Sequence, residues 1–146
     1  MSSGGNDWLA LTLESTLEPE IPICDAHHHL WDLRPERNPY QHYLLPELYA
    51  DLNSGHKVCS TVFVETRASY RENGREEMRP VGEVEFAHSL ADIGATGLYG
   101  PARAAAAIVG HANLHLGNEV AQVLEALKAA SPNRFRGIRH LLAWDQ

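Results

Sequence analysis

Two periods of apolar residues alternate along this chain. Ile21-Pro22-Ile23-Cys24 is a short apolar run leading into Asp25 and three histidines, and it predicts a strand from Ile21 to about His29. Pro46-Glu47-Leu48 opens a short helix that ends near Gly55, proline being suited to a first helical turn. Val58 to Thr66 (VCSTVFVET) is nearly all apolar and β-branched, the mark of a strand covered on both faces in a parallel sheet. Helical spacing returns from Val81 to about Ile93, where Val84, Ala87, Leu90 and Ala91 form one stripe and Gly94 and Gly97 close the element. Ala104 to about His111 (AAAAIVGH) has the alanine content of a helix. Its position between two helices, with Gly110 and a polar loop behind it, makes it a strand instead. Asn118 is the expected cap of a helix carrying Val120, Val123, Leu124 and Leu127, which Ser131-Pro132-Asn133 breaks. Phe135 to His140 (FRGIRH) reads as a fourth strand. The polar stretches 30–46 and 66–80 are long loops. Residues 1–6 form a Ser/Gly-rich head expected to be disordered, and a short helix is expected over Trp8–Leu17, ended by Pro19.

The order β-α-β-α-β-α-β with parallel-type strands is the α/β pattern. No Gly-x-Gly-x-x-Gly follows the first strand, and neither a phosphate-binding loop nor a Gly-x-Ser-x-Gly elbow is present. A formal net charge of -7 without a Lys/Arg cluster argues against a nucleic-acid surface. No apolar run reaches the length of a membrane span, and the first residues lack the basic and apolar regions of a signal peptide. Cys24 and Cys59 lie in strand-like runs without CxxC spacing and read as buried free thiols of a reducing compartment, with a disulfide as the lesser reading. These features together predict a cytoplasmic protein.

The chemistry concentrates at the predicted strand ends. On an alternating strand, Ile23, Asp25, His27 and His29 share one face, while Cys24, Ala26 and His28 share the other. His27 and His29 then stand roughly 6–7 Å apart along the strand, able to grip one divalent cation; zinc accepts such imidazole nitrogens. The competing reading, a solvated polar turn, is outweighed by the apolar run ahead of the histidines. Asp25 is expected to orient a ligating histidine, and His28 to pack behind the site. Glu65, His111, Arg139 and His140 close the other three strands. Arg139 offers a bidentate grip on a substrate carboxylate. His111 reads as a satisfied histidine beside a tight Gly110, and His56 and His88 as surface residues.

Asp-x-His-x-His at the end of a first strand resembles the opening signature of the amidohydrolase superfamily. The segments IPICDAHHHLWDLR, YLLPELYADL, TVFVE, EMRPVGEVEFA, AAIVGHANL and FRGIRH resemble, in order, its amidohydrolase-related barrel hydrolases, a group that includes lactonases. The resemblance implies a (β/α)8 barrel with His27 and His29 as ligands of a divalent metal and with His140 and Arg139 as pocket residues, Arg139 binding substrate. Glu65, from its place at a strand end, joins His140 as a catalytic candidate, and ligand chemistry makes zinc the expected ion. The resemblance also implies metal-assisted hydrolysis of a lactone or a related cyclic ester or amide.

A complete barrel takes about 250 residues, and the chain has 146. The expectation is therefore a partial barrel of about four N-terminal β/α units over 20–146, behind a head at 1–19, with little activity of its own. The family's mid-barrel histidine and last-strand aspartate have no counterpart, and Asp145 falls just past the fourth strand. Two alternatives stand beside this: a non-catalytic split subunit, and a decarboxylase or phosphoesterase type of HxH barrel. The expected partners are a small-molecule substrate and, through open barrel edges, a second copy of the chain.

Overall fold

The computed structural model describes residues 14–36 and 40–141. Four strands, β1 (Pro22–His28), β2 (Lys57–Val64), β3 (Arg103–His111) and β4 (Phe135–Arg139), form one sheet in the order β1-β2-β3-β4. Every neighbouring pair is parallel. Helices α1 (Leu45–Leu52), α2 (Val81–Gly94) and α3 (Val120–Ala130) are the crossovers. A mixed α/β chain with a four-stranded parallel sheet is thus established, as the alternating periods implied. The disordered head falls at residues 1–6, outside the described residues. So does most of the helix expected over 8–17, and residues 14–17 of that span form no helix.

The alanine run is a strand, β3, because burial outweighs helix propensity there: Ala104, Ala105 and Ile108 are enclosed in the core, and α2 packs on the strand. Gly110 is what lets α2 close on it. A Cβ at this position would stand 2.9 Å from the Val84 side chain and 3.3 Å from the Phe135 ring. The expected stripe of α2 is inward, with Val84, Ala87 and Ala91 buried and Leu90 partly so. Phe63 of β2, Ile108 of β3 and Leu127 of α3 are fully enclosed in the same core. Tyr49 of α1 donates to the Ala102 carbonyl at 2.5 Å, tying α1 to the approach of β3.

Three expectations are corrected. Asn118 does not cap α3; a 3-10 turn, Leu114–Glu119, runs into it and Glu119 occupies the cap. The capping asparagine is Asn113, whose side chain accepts from the His115 N–H at 3.0 Å. Cys24 and Cys59 are free but exposed rather than buried, so the apolar runs that hold them are not covered at these two positions. His88 is not a surface residue: it is half-buried, 3.0 Å from the Ser131 hydroxyl, and accepts from Arg134 at 3.1 Å. No described helix is long and apolar enough to cross a membrane.

Candidate active site at the carboxyl ends of the strands

Parallel strands deliver their last residues to one rim, and that rim is where the polar side chains gather. His27 and His29 emerge from β1 with ring centroids 4.8 Å apart, edge to face. His29 Nδ1 lies 2.7 Å from the Val64 carbonyl of β2. A carbonyl only accepts, so the proton is on Nδ1 and the Nε2 lone pair is left to the rim. Burial holds His29 below the usual histidine range, so the ring is neutral at pH 7. That is the state a metal ligand needs.

The alternation expected for β1 is broken. Asp25 pairs with Thr61 and His28 with Phe63, so three residues on β1 span two on β2. The extra residue puts Asp25 and His28 on the same side of the sheet. Asp25 therefore does not orient an imidazole; its Oδ1 accepts from the His27 backbone N–H at 3.1 Å and fixes the chain at the bulge.

His28 packs behind the rim, as expected. The Ala105 N–H donates to Thr61 Oγ1 at 2.9 Å, and Thr61 Oγ1 lies 2.8 Å from His28 Nε2. Thr61 thus links the buried imidazole of β1 to the backbone of β3, and His28 Nδ1 is the ring nitrogen left over. That nitrogen is buried without a partner. Loss of hydration lowers the His28 pKa to about 4, against a smaller opposing pull from Asp25.

Glu65 and Arg139 meet across the rim. Glu65 follows β2 at 1% exposure, and Arg139 Nε donates to its Oε1 at 2.9 Å, while Arg139 Nη2 donates to the Glu65 carbonyl. The pair ties β2 to β4. The guanidinium expected to grip a substrate carboxylate thus already holds one of the protein's own, and Glu65 Oε2 is the oxygen left without a partner. His111 donates from Nδ1 to the Arg139 carbonyl at 3.0 Å, the same device that holds His29, so its Nε2 is also free. His140 accepts the Leu114 N–H on Nδ1 at 3.2 Å, which puts its proton on Nε2. Its ring meets His111 and His115 edge-on, with centroids 5.5 and 5.3 Å away. His140 is thus arranged to donate a hydrogen bond and His111 to accept one.

Glu83, on the first turn of α2, is a functional residue that the pattern of the chain does not mark. Its Oε1 accepts from the Thr66 and Ala68 N–H groups at 2.9 and 2.8 Å, holding the β2–α2 loop from beneath. Burial raises its pKa to about 7, against the lowering effect of those N–H groups. Glu83 Oε2 and the Tyr70 hydroxyl are buried without partners, and burial with the two carboxylates Glu83 and Glu65 pushes the Tyr70 phenol up. An acid on an amphipathic helix reads as solvated, and only the helix packing reveals it as an anchor.

Among the described residues, no three His, Cys, Asp or Glu side chains are arranged around one metal position. His27 and His29 supply two imidazoles suited to a divalent ion, fewer than the three protein ligands of a catalytic zinc. No family model, no curated protein and no solved structure matches the chain.

Proposed function

We propose that this chain carries the metal-binding side of an amidohydrolase-type barrel, whose reaction is metal-assisted hydrolysis of a lactone or a related cyclic ester or amide. One observation carries the reading. His29, at the carboxyl end of a parallel strand, has Nδ1 tied to a backbone carbonyl and Nε2 free beside His27, as a metal-ligating histidine needs. The parallel order of the four strands is compatible with part of a (β/α)8 barrel.

His27 and His29 would hold the ion, and a divalent ion so bound acidifies water and polarises a carbonyl. The other roles follow from donor and acceptor positions. Glu65 Oε2 is the carboxylate oxygen without a partner, the one left to accept a proton, and the Arg139 guanidinium holds Glu65 in place. His140 offers Nε2–H to a leaving oxygen. With only two ligands from the described residues, the chain by itself turns over simple lactones very slowly, because ligands and general base act as a unit.

The experiment compares zinc-stimulated hydrolysis of γ-butyrolactone by the chain and by its His29→Ala variant. A small rate that vanishes with His29 supports the proposal. A rate unchanged by zinc and by the substitution contradicts it.

A further inference from the structure

The loops after β1 and β2 face each other across a cleft of about 440 Å³, lined by Asp32, Arg34 and Glu36 on one side and Thr66–Ser69 on the other. We infer that this cleft is a binding site for the oxyanion of a small organic acid or phosphate, held between Arg34 and Arg67. The inference does not depend on hydrolysis or on a metal.

Three features build the site. Arg34 donates from Nη2 to the Thr66 carbonyl, and its guanidinium carbon lies 5.9 Å from the centre of the Trp31 ring. One edge of the fork thus pins the two loops together, and the rest of its five donors remain for a ligand. Arg67 stands opposite on an exposed position, and no hydrogen bond or ion pair engages its guanidinium among the described residues.

The loop that presents Arg67 is held in a costly shape. Arg67 and Ser69 both take left-handed backbone conformations, with φ 59 and 55, at positions where neither is glycine. The buried Glu83 carboxylate accepts the N–H groups on either side of Arg67, from Thr66 and Ala68, and so maintains that shape. Residues kept in such regions by over-determining contacts cluster at ligand sites.

Charge selects the class of ligand. The acids of the lining, Asp32 and Glu36, lie on the Arg34 loop, and Asp32 is engaged by His42 at 3.3 Å. The four side-chain charges cancel, so long-range attraction is small and recognition falls to the planar guanidinium forks. Those suit the paired oxygens of a carboxylate or phosphate.

The test is an amide NMR titration of the full chain with malonate, with inorganic phosphate and with the neutral malonamide, at constant ionic strength. Malonate or phosphate is expected to shift the amides of 66–69 saturably, and malonamide is not. Saturation by malonate alone assigns an organic acid, and by phosphate alone a phosphate group. Arg67→Asn removes the cation while keeping a residue that tolerates positive φ, and its amide spectrum reports whether the fold is intact. It should weaken binding at least tenfold. Failure of both anions to shift these amides, equal shifts from malonamide, or affinity unchanged in Arg67→Asn would each overturn the inference.

Discussion

Replacing Glu83 by glutamine should expose a pH dependence that the intact protein hides. Glu83 is 1% exposed with its pKa raised from 4.5 to about 7. Between those values the folded protein holds a proton that the unfolded chain has lost, so stability falls as pH rises, by about 3 kcal/mol in total. His28, 7% exposed, has its pKa lowered from 6.5 to about 4. Between those values the unfolded chain holds the proton, so stability rises with pH by about 3 kcal/mol and is lost again as pH falls towards 4. Over pH 4.5–6.5 the two slopes, each up to about 1.4 kcal/mol per pH unit, oppose each other and largely cancel. His29, shifted in the same direction as His28, adds to the rise. Glu83→Gln keeps an Oε1 that accepts from Thr66 and Ala68 and loses the titration. Urea unfolding followed by tryptophan fluorescence from pH 4.5 to 8 should then show a stability that climbs to about pH 6.5 and stays level. Between pH 4.5 and 7 the variant should gain about 3 kcal/mol on the natural protein. A stability difference between the two proteins that stays constant across this range would refute the reasoning.

Three further outcomes are expected. Gly110→Ala should lower stability by about 1–3 kcal/mol in the same urea assay, because the new methyl meets the Val84 and Phe135 side chains; no loss would show that α2 can shift outward. Arg139→Met should cost about 3 kcal/mol or more by leaving Glu65 buried and unpaired, and adding Glu65→Met should recover part of that loss. Among the described residues β1 and β4 each pair on one side only, so light scattering should find self-association, because open strand edges recruit other chains; a monodisperse monomer with strongly protected amides in all four strands would count against the barrel reading.

The elements were legible because their signals are local. VCSTVFVE announces a buried parallel strand, and AAAAIVGH is placed by its neighbours even though its alanines favour a helix. The positions of His27, His29, Glu65, Arg139 and His140 at strand ends follow from strand periodicity and parallel order. What depends on register did not show. The bulge between Asp25 and His28 turns on how β1 meets β2, and no residue in AHH marks it. Arg139 reads as a free cation until the sheet places Glu65 2.9 Å from it. Exposure of Cys24 and Cys59 depends on what covers each position of the sheet, which the apolar pattern around them does not report. Arg34, Arg67 and Glu83 gain their roles only when two loops distant in sequence face one another. The positive φ of Arg67 and Ser69 has no glycine to announce it.

The central claim, that His27 and His29 form a metal-binding pair, is tested most directly by titrating zinc into the chain by calorimetry, alongside a His27→Ala/His29→Ala variant. Weak, saturable binding that disappears in the variant is the predicted result. Tight binding that survives the double substitution would contradict it, placing the ion on other residues.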